Sequence, residues 1–323
     1  MRILTATIGG FLLDFLFGDP EFLTPIHPVV LMGRCISCLE KALRARFPKT
    51  ERGSFAAGLN MAMILIAGTI LLCSGILRIL DRIHPVFALA AETLWCWQAL
   101  AAKDLRVEAL RVYDALTGGT VVLARAAVAR IVGRDTANLD PAGITRAAVE
   151  TVAENFSDGV VAPMLYMILG GAPLALGYKA INTMDSMVGY RNERDRDFGK
   201  APARIDDAAN YIPSRLAALL LIAAAALCGR DAGKAMQIWR RDRRKHASPN
   251  AAQCEAVMAG ALGVRLCGPA SYFGVPHEKP YIGDDERTVE PEDIRRACRM
   301  ELAGSWLCLG LLALIRMGLM RLG

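Results

Sequence analysis

Residues 55–77, FAAGLNMAMILIAGTILLCSGIL, carry no charged side chain. A helix of roughly 20 apolar residues crosses the hydrocarbon core of a bilayer, and this run is that long. Its N-terminal flank holds Arg34, Lys41, Arg44, Arg46, Lys49 and Arg52. Basic flanks stay on the cytoplasmic side, so the span starts there. The fold class that follows is all-α: a polytopic integral membrane protein with about four to six spans or re-entrant helices and an amphipathic helical cytoplasmic insertion.

Composition agrees with that reading. Of 323 residues, 54% are hydrophobic, and the mean hydropathy is +0.31, both high for a soluble chain. The net charge of +6 does not indicate nucleic acid, because the basic residues lie in blocks beside apolar runs and no aromatic-and-basic RNA module is present. Nine cysteines are scattered, which suits a reducing compartment. The pair Cys35 and Cys38 is a lone C-x-x-C with neither a second pair nor a histidine near it. Arg2 precedes an apolar run that Asp14 interrupts, without a small-residue cleavage site, so no cleaved signal is expected.

Outward from the central span, residues 3–17 form a short apolar segment, and residues 17–34, FGDPEFLTPIHPVVLMGR, are loop-like because proline and glycine break helices. Residues 83–102 are apolar except for His84, Glu92 and Gln98; they cross as a helix that turns Glu92 toward protein, or lie as a buried hairpin partner. Residues 103–155 read as the helical insertion, with a helix start at Asp140-Pro141, where aspartate caps and proline fits the first turn. Residues 159–177 are uncharged but broken by Pro163 and by Gly170-Gly171-Ala172-Pro173, the pattern of a helix lining a cavity. Residues 212–228 are a short span candidate whose flanks are both basic, so charge bias does not decide between crossing and returning. Residues 229–300 form a mostly polar loop and helix region, and an apolar helix near 303–320 follows. The whole chain, 1–323, reads as a single membrane-embedded domain.

Polar function concentrates in three places. In VETVAENFSDG, Glu150, Glu154 and Asp158 share a helical face at i, i+4 spacing. Like charges so placed repel, so a basic side chain or a divalent cation is expected beside them, unless the face is simply solvated. In YKAINTMDSMVGYR, Lys179, Asn182, Asp185, Ser186 and Arg191 offer oxygen ligands for Mg²⁺ and cations for phosphate; the bland alternative is a helix-helix polar contact. In ARIDDAANYIPSR, Arg204, Asp206, Asp207, Asn210, Tyr211 and Arg215 bring carboxylate, phenol and guanidinium together. The alternating charges at 193–197 read as a solvated turn that tolerates substitution. A fourth stretch, Ser248-Pro249-Asn250, enters a helix bearing Glu255 and the small residues Ala259, Gly260, Ala261 and Gly263, which allow close approach of a backbone or a flat ligand. The four histidines lack H-x-x-x-H spacing, and there is no nucleotide-binding glycine-lysine loop.

These pieces in order, GDP and HPV near the start, AEN with DG-V-V-A-P, YKAINTMDSMVGY, ARIDDAANYIPSR, SPN, and MAGALGVRL followed by Y-F-G, resemble the CobD/CbiB family, the adenosylcobinamide-phosphate synthases of cobalamin biosynthesis. The likeness runs from about residue 9 to 285, most specific in its central block. Two departures stand out: SPNAAQ where a glycine soon after Asn250 is expected, and Arg265-Leu-Cys267-Gly268 where a Gly-Gly pair is usual. The resemblance implies a multi-pass enzyme of the cell inner membrane, with its site facing the cytoplasm. Its substrates would be adenosylcobyric acid and an aminopropanol, expected as its O-phosphate, with ATP driving amide formation and Mg²⁺ as cofactor. Membrane lipid and other cobalamin-pathway enzymes are the further partners expected, and no nucleic acid. For that chemistry the residues suggest Asp185, Asp206 and Asp207 as Mg²⁺ ligands, and Lys179, Arg191, Arg204 and Arg215 as phosphate or carboxylate clamps. Asn182 and Asn210 would orient substrate amides, with Tyr211 beside them, and Glu154 or Asp158 would act as base. Two other classes compete. A non-catalytic membrane carrier or scaffold for corrinoids would also use broken helices and buried Asp14 and Glu92. A lipid phosphotransferase would need a tight D-x-x-D-G motif, which the chain lacks.

Overall fold

The structure, a computed structural model, describes residues 1–189, 194–272 and 274–322. The chain runs through α1 (Arg2–Phe17), α2 (Pro28–Arg46), α3 (Glu51–Ile83), α4 (Pro85–Ala99), α5 (Ala102–Gly118), α6 (Val121–Val128) and α7 (Pro141–Phe156). A π-helical turn, Ser157–Val161, leads into α8 (Ala162–Val188), α9 (Lys200–Ala209), α10 (Tyr211–Leu227), α11 (Ala232–Asp242) and α12 (Ala251–Leu262). Four short strands, β1 (Leu266–Cys267), β2 (Ala270–Tyr272), β3 (Val275–His277) and β4 (Tyr281–Ile282), precede α13 (Glu292–Leu322). The protein is thus an all-α membrane protein with two small antiparallel ribbons, β1 with β4 and β2 with β3, in a region the sequence reads as loop.

Three helical runs among the described residues are long and apolar enough to cross a membrane: α3, the run Pro141–Val188, and α13; α9 with α10 adds a fourth if that broken pair counts as one span. This meets the lower end of the expected number. The segments at 3–17 and 83–102 form α1 and α4, helices of 16 and 15 residues, too short to span alone.

The contacts group into two compact units. Unit 1 comprises residues 1–101, 162–210 and 311–323. In it α3 packs against α2, α4, α8 and α9, and α1 against α4 and α8. The outer face of α3 leaves Met63, Leu71, Leu72 and Ile79 exposed, the surface a lipid-facing helix presents. α8 instead buries most of its side chains, Tyr178 and Met184 among the largest. Its helix breaks where Gly170 and Gly171 leave helical geometry, and Gly171 lies at φ +70. A Cβ at Gly171 would also collide with the Glu92 carboxylate. Glu92 is buried and accepts a hydrogen bond from Arg2 Nε at 2.8 Å, so it does turn toward protein.

Unit 2 comprises residues 102–161 and 211–310, and so contains both the 103–155 insertion and the 229–300 region. Asp140 caps α7 by accepting from Gly143 N at 2.6 Å, with Pro141 in the first turn. α7 packs against α5, α6 and α12, and α12 against α10 and α11. The small residues of α12 serve helix packing: a Cβ at Gly260 would lie 2.8 Å from Ala235 Cα and Lys234 O on α11. The backbone, not a flat ligand, fills that space.

Candidate functional site

Two buried polar clusters emerge, one in each unit. In unit 1, α8 supplies Tyr166, Tyr178, Lys179, Asn182 and Asp185, and α9 supplies Arg204, Asp206 and Asp207, with Asn210 just past its end. Tyr178 Oη donates to Asn210 Oδ1 at 2.8 Å, and Asn210 Nδ2 donates to Asp206 Oδ2 at 3.1 Å. Tyr166 stacks on Tyr178 with ring centroids 5.1 Å apart and donates from Oη to Ala209 O at 3.1 Å. A phenol, an amide and a carboxylate are thereby linked in a chain whose three members are all buried. Among the described residues Asp206 Oδ1 is buried and makes no hydrogen bond of good geometry, while Lys179 and Asn182 lie close enough to act on the carboxyl. The structure therefore brings Lys179, Asn182, Asp206 and Asn210 together. The hydroxyl of Ser186 turns back onto its own helix, donating to Asn182 O at 2.9 Å, as serine in a helix commonly does.

Unit 2 holds the acidic cluster. The counter-charge expected beside Glu150 is Arg134, which forms an ion pair with it. Glu150 Oε1 also accepts the Cys267 backbone N–H at 2.7 Å, and the Cys267 thiol donates to Glu255 Oε2 at 3.4 Å. Burial, then the charges of Glu154 and Glu150, push the Glu255 carboxyl up to about 8. Burial and the neighbouring Glu255 carboxylate likewise drive the Cys267 thiol far above the ordinary thiol range. Burial and the nearby Lys279 ammonium hold His246 below its usual value, hence neutral at pH 7. Cys267 sits at φ 60, the left-handed region that glycine enters without cost. That is the conformation a Gly-Gly pair would supply here, and in this chain a side chain reaches Glu255 from it.

The remaining predicted residues are placed as follows. Glu154 is exposed at the end of α7, and Asp158 is half-buried on the π-turn, where the helix no longer keeps i, i+4 register. Both act electrostatically on buried Cys254. Arg204 is exposed, Asp207 half-buried and Tyr211 exposed. Arg215 lies over the Tyr211 ring at 3.5 Å, as their shared face implies. Arg191, and Glu193 of the charged turn, lie outside the described residues. Among the described residues no group of three or more His, Cys, Asp or Glu side chains is arranged to hold a metal ion. Asp185, Asp206 and Asp207 thus form no preformed three-carboxylate cage, since adjacent helical residues point apart and Asp206 is engaged with Asn210. The donors that do converge, one carboxylate with an unbonded oxygen beside an amide, fit Mg²⁺ that arrives with bound phosphates and water. Sequence reasoning gave no role to Tyr178, Tyr166, Arg134, Cys267 or His246. Only Tyr178 carried a local signal, its i, i+4 relation to Asn182 on α8.

Fold and clusters together define a polytopic helical membrane protein that keeps ionisable groups buried among its helices, which in a membrane setting marks function. The model of the CobD/Cbib protein family matches residues 7–301. The chain is 43% identical over 319 residues to the cobalamin biosynthesis protein CbiB of Salmonella typhimurium, covering 99% of each chain. It is 44% identical to CobD of Citrobacter koseri, over 95% of each chain. It is also 48% identical to CobD of Geobacter metallireducens, over 90% of this chain and 89% of the relative. No solved structure matches. The chain belongs to the CobD/CbiB family.

Proposed function

We propose that the protein acts in cobalamin biosynthesis as a ligase, joining the amine of aminopropanol O-phosphate to the free propionate of adenosylcobyric acid at the cytoplasmic face of the inner membrane. The observation that carries this reading is the end-to-end likeness to proteins whose names place them in cobalamin biosynthesis. A carboxylate does not acylate an amine at useful rates, because its oxygen is a poor leaving group. ATP transfers its γ-phosphoryl group to the propionate, giving an acyl phosphate and ADP. The ammonium gives one proton to a base, the freed amine forms the C–N bond as the C–O bond to phosphate breaks, and the second proton leaves with the phosphate.

The protein's own residues have distinct tasks in this scheme. Lys179, Arg204 and Arg215, with Arg191, bind phosphate and carboxylate oxygens. Asn182 and Asn210 orient the substrate's amides, and the Tyr178 hydrogen bond fixes the Asn210 side chain for that purpose. Asp206, beside the Asn182 amide, would hold Mg²⁺ entering with ATP, with Asp185 and Asp207 on the same two helices available to the waters around it; when bound, the ion neutralises phosphate charge. Glu154 or Asp158 takes the ammonium proton. Glu255 lies within the electrostatic reach of Glu154, whose charge raises the Glu255 carboxyl, so a proton gained by Glu154 makes Glu255 easier to ionise.

Purified protein in detergent, given adenosylcobyric acid, aminopropanol phosphate and Mg-ATP, is expected to release ADP only when both organic substrates are present. A second reading, a carrier or scaffold for corrinoids, draws on the break at Gly170-Gly171 beside buried Glu92. Corrinoid binding or flux across vesicles with no ADP release would favour it and rule out the ligase.

A further inference from the structure

Around the turn at 248–250 in unit 2, Arg215 is held by hydrogen bonds and Arg243 lies over Trp239, and among the described residues neither is paired with a carboxylate. Arg215 is fixed on one side: Nη1 donates to Tyr211 O (2.7 Å), Ser214 Oγ (3.1 Å) and Asn250 Oδ1 (3.0 Å), and Nη2 donates to Pro249 O (3.3 Å). The same Pro249 carbonyl accepts from Gln253 Nε2 at 3.1 Å, and Nε2 also donates to Arg243 O at 3.3 Å. Gln253 Oε1 accepts from Trp239 Nε1 at 2.9 Å, and the Arg243 guanidinium lies 4.5 Å from the Trp239 ring centroid. One glutamine thus ties the backbone beneath Arg243 to the turn that Arg215 grips. Arg243 and Arg244 both act electrostatically on Arg215. Among the described residues none of the three makes an ion pair with a carboxylate, whereas their neighbours Arg241 and Lys245 are both paired with buried Asp242.

Arg215 and Arg243, tied to one hydrogen-bonded turn with Arg244 near enough to act on Arg215, and without carboxylate partners among the described residues, repel one another unless an anion joins them. Planar guanidinium groups match the oxygens of a phosphate in geometry as well as charge. The turn also opens α12, and the Asn250 side chain does not cap that helix, since its Oδ1 accepts from Ser214 and Arg215 instead. The positive end of the helix dipole is therefore directed at the same place. We propose that Arg215, Arg243 and Arg244, arranged about the 248–250 turn, form a seat for a phosphate group. The inference deepens the clamp role given to Arg215 above and rests on that reading only for the identity of the phosphate ester.

The test is titration of the full-length protein in detergent with aminopropanol phosphate, ATP or inorganic phosphate, and of the protein in nanodiscs with phosphatidylglycerol or phosphatidylcholine, followed by calorimetry. Arg243→Gln and Arg215→Gln are each expected to weaken binding about tenfold, the loss of a charged hydrogen-bonded contact, and Arg244→Gln by less. Aminopropanol without its phosphate should bind equally to all variants. A loss confined to a soluble ester identifies a substrate as the phosphate source, and one confined to phosphatidylglycerol identifies a lipid headgroup. Arg215→Gln also removes four structural hydrogen bonds, so Arg243→Gln and Arg244→Gln decide the matter if it does not fold. Unchanged binding in every arm with those two variants would overturn the seat. Because binding is read without turnover, absence of amide formation would refute the ligase and leave the seat standing.

Discussion

The buried polar groups of unit 1 and unit 2 solve the same problem in opposite ways. In the unit 1 cluster one carboxylate, Asp206, is reached through two uncharged intermediaries, Tyr178 and Asn210, so that cluster is held together mainly by dipoles. In unit 2 the buried carboxyls Glu150 and Glu255 share one guanidinium, Arg134, which is paired with Glu150, and the excess negative charge is relieved by keeping Glu255 protonated near neutral pH. The first arrangement positions groups rigidly. The second keeps a proton on Glu255 near neutral pH, and a change of charge beside that carboxyl shifts its pKa.

The comparison breaks most sharply at Arg134. Arg134→Ala leaves Glu150 as an uncompensated buried carboxylate and is expected to cost about 3–5 kcal/mol, read as a lower unfolding temperature in detergent. Replacing both partners by apolar residues, Arg134→Met with Glu150→Leu, should recover most of that loss. Next comes Glu255. Its folded carboxyl lies above its unfolded value of 4.5, so its stabilising effect is complete below 4.5 and is lost as pH rises toward about 8. Wild-type stability should fall across that window by on the order of a few kcal/mol, read as a falling unfolding temperature, and Glu255→Gln should flatten the curve. An unchanged slope in the variant would mean that the proton resides elsewhere. In unit 1 the effects are those of dipoles: Asn210→Ala strands the Tyr178 hydroxyl and Asp206, costing about 2–3 kcal/mol. Tyr178→Phe removes one link and should cost about 1 kcal/mol by the same measurement. Tyr178→Phe should leave the pH dependence of stability between 5 and 8 unchanged, whereas Glu255→Gln should alter it.

Local signals in the chain foretell local structure well. The uncharged run at 55–77 lies wholly within α3, Asp140-Pro141 begins α7, and Gly170-Gly171 marks the break in α8. The convergence of Asn182, Asp206 and Asn210 was also readable, because each sits in a dense polar motif. Partners chosen over long separations were not. Cys267 reaches back 117 residues to Glu150, and nothing in the local pattern around either residue specifies the other. Arg134 was one cation among several in an amphipathic stretch; only folding selects it for Glu150. Asp206 and Asp207 are adjacent in sequence, and the helix turns one inward and leaves the other half-exposed, as adjacent helical positions require.

The measurement that bears most directly on the central claim is mass-spectrometric detection of the amide formed from adenosylcobyric acid and aminopropanol phosphate, comparing wild type with Asp206→Asn at saturating Mg-ATP. The account predicts product and stoichiometric ADP with wild type, and a rate at least about 100-fold lower in the variant, the usual scale for losing a group that stabilises transition-state charge. An Asp206→Asn protein that folds and forms amide at the wild-type rate would contradict it.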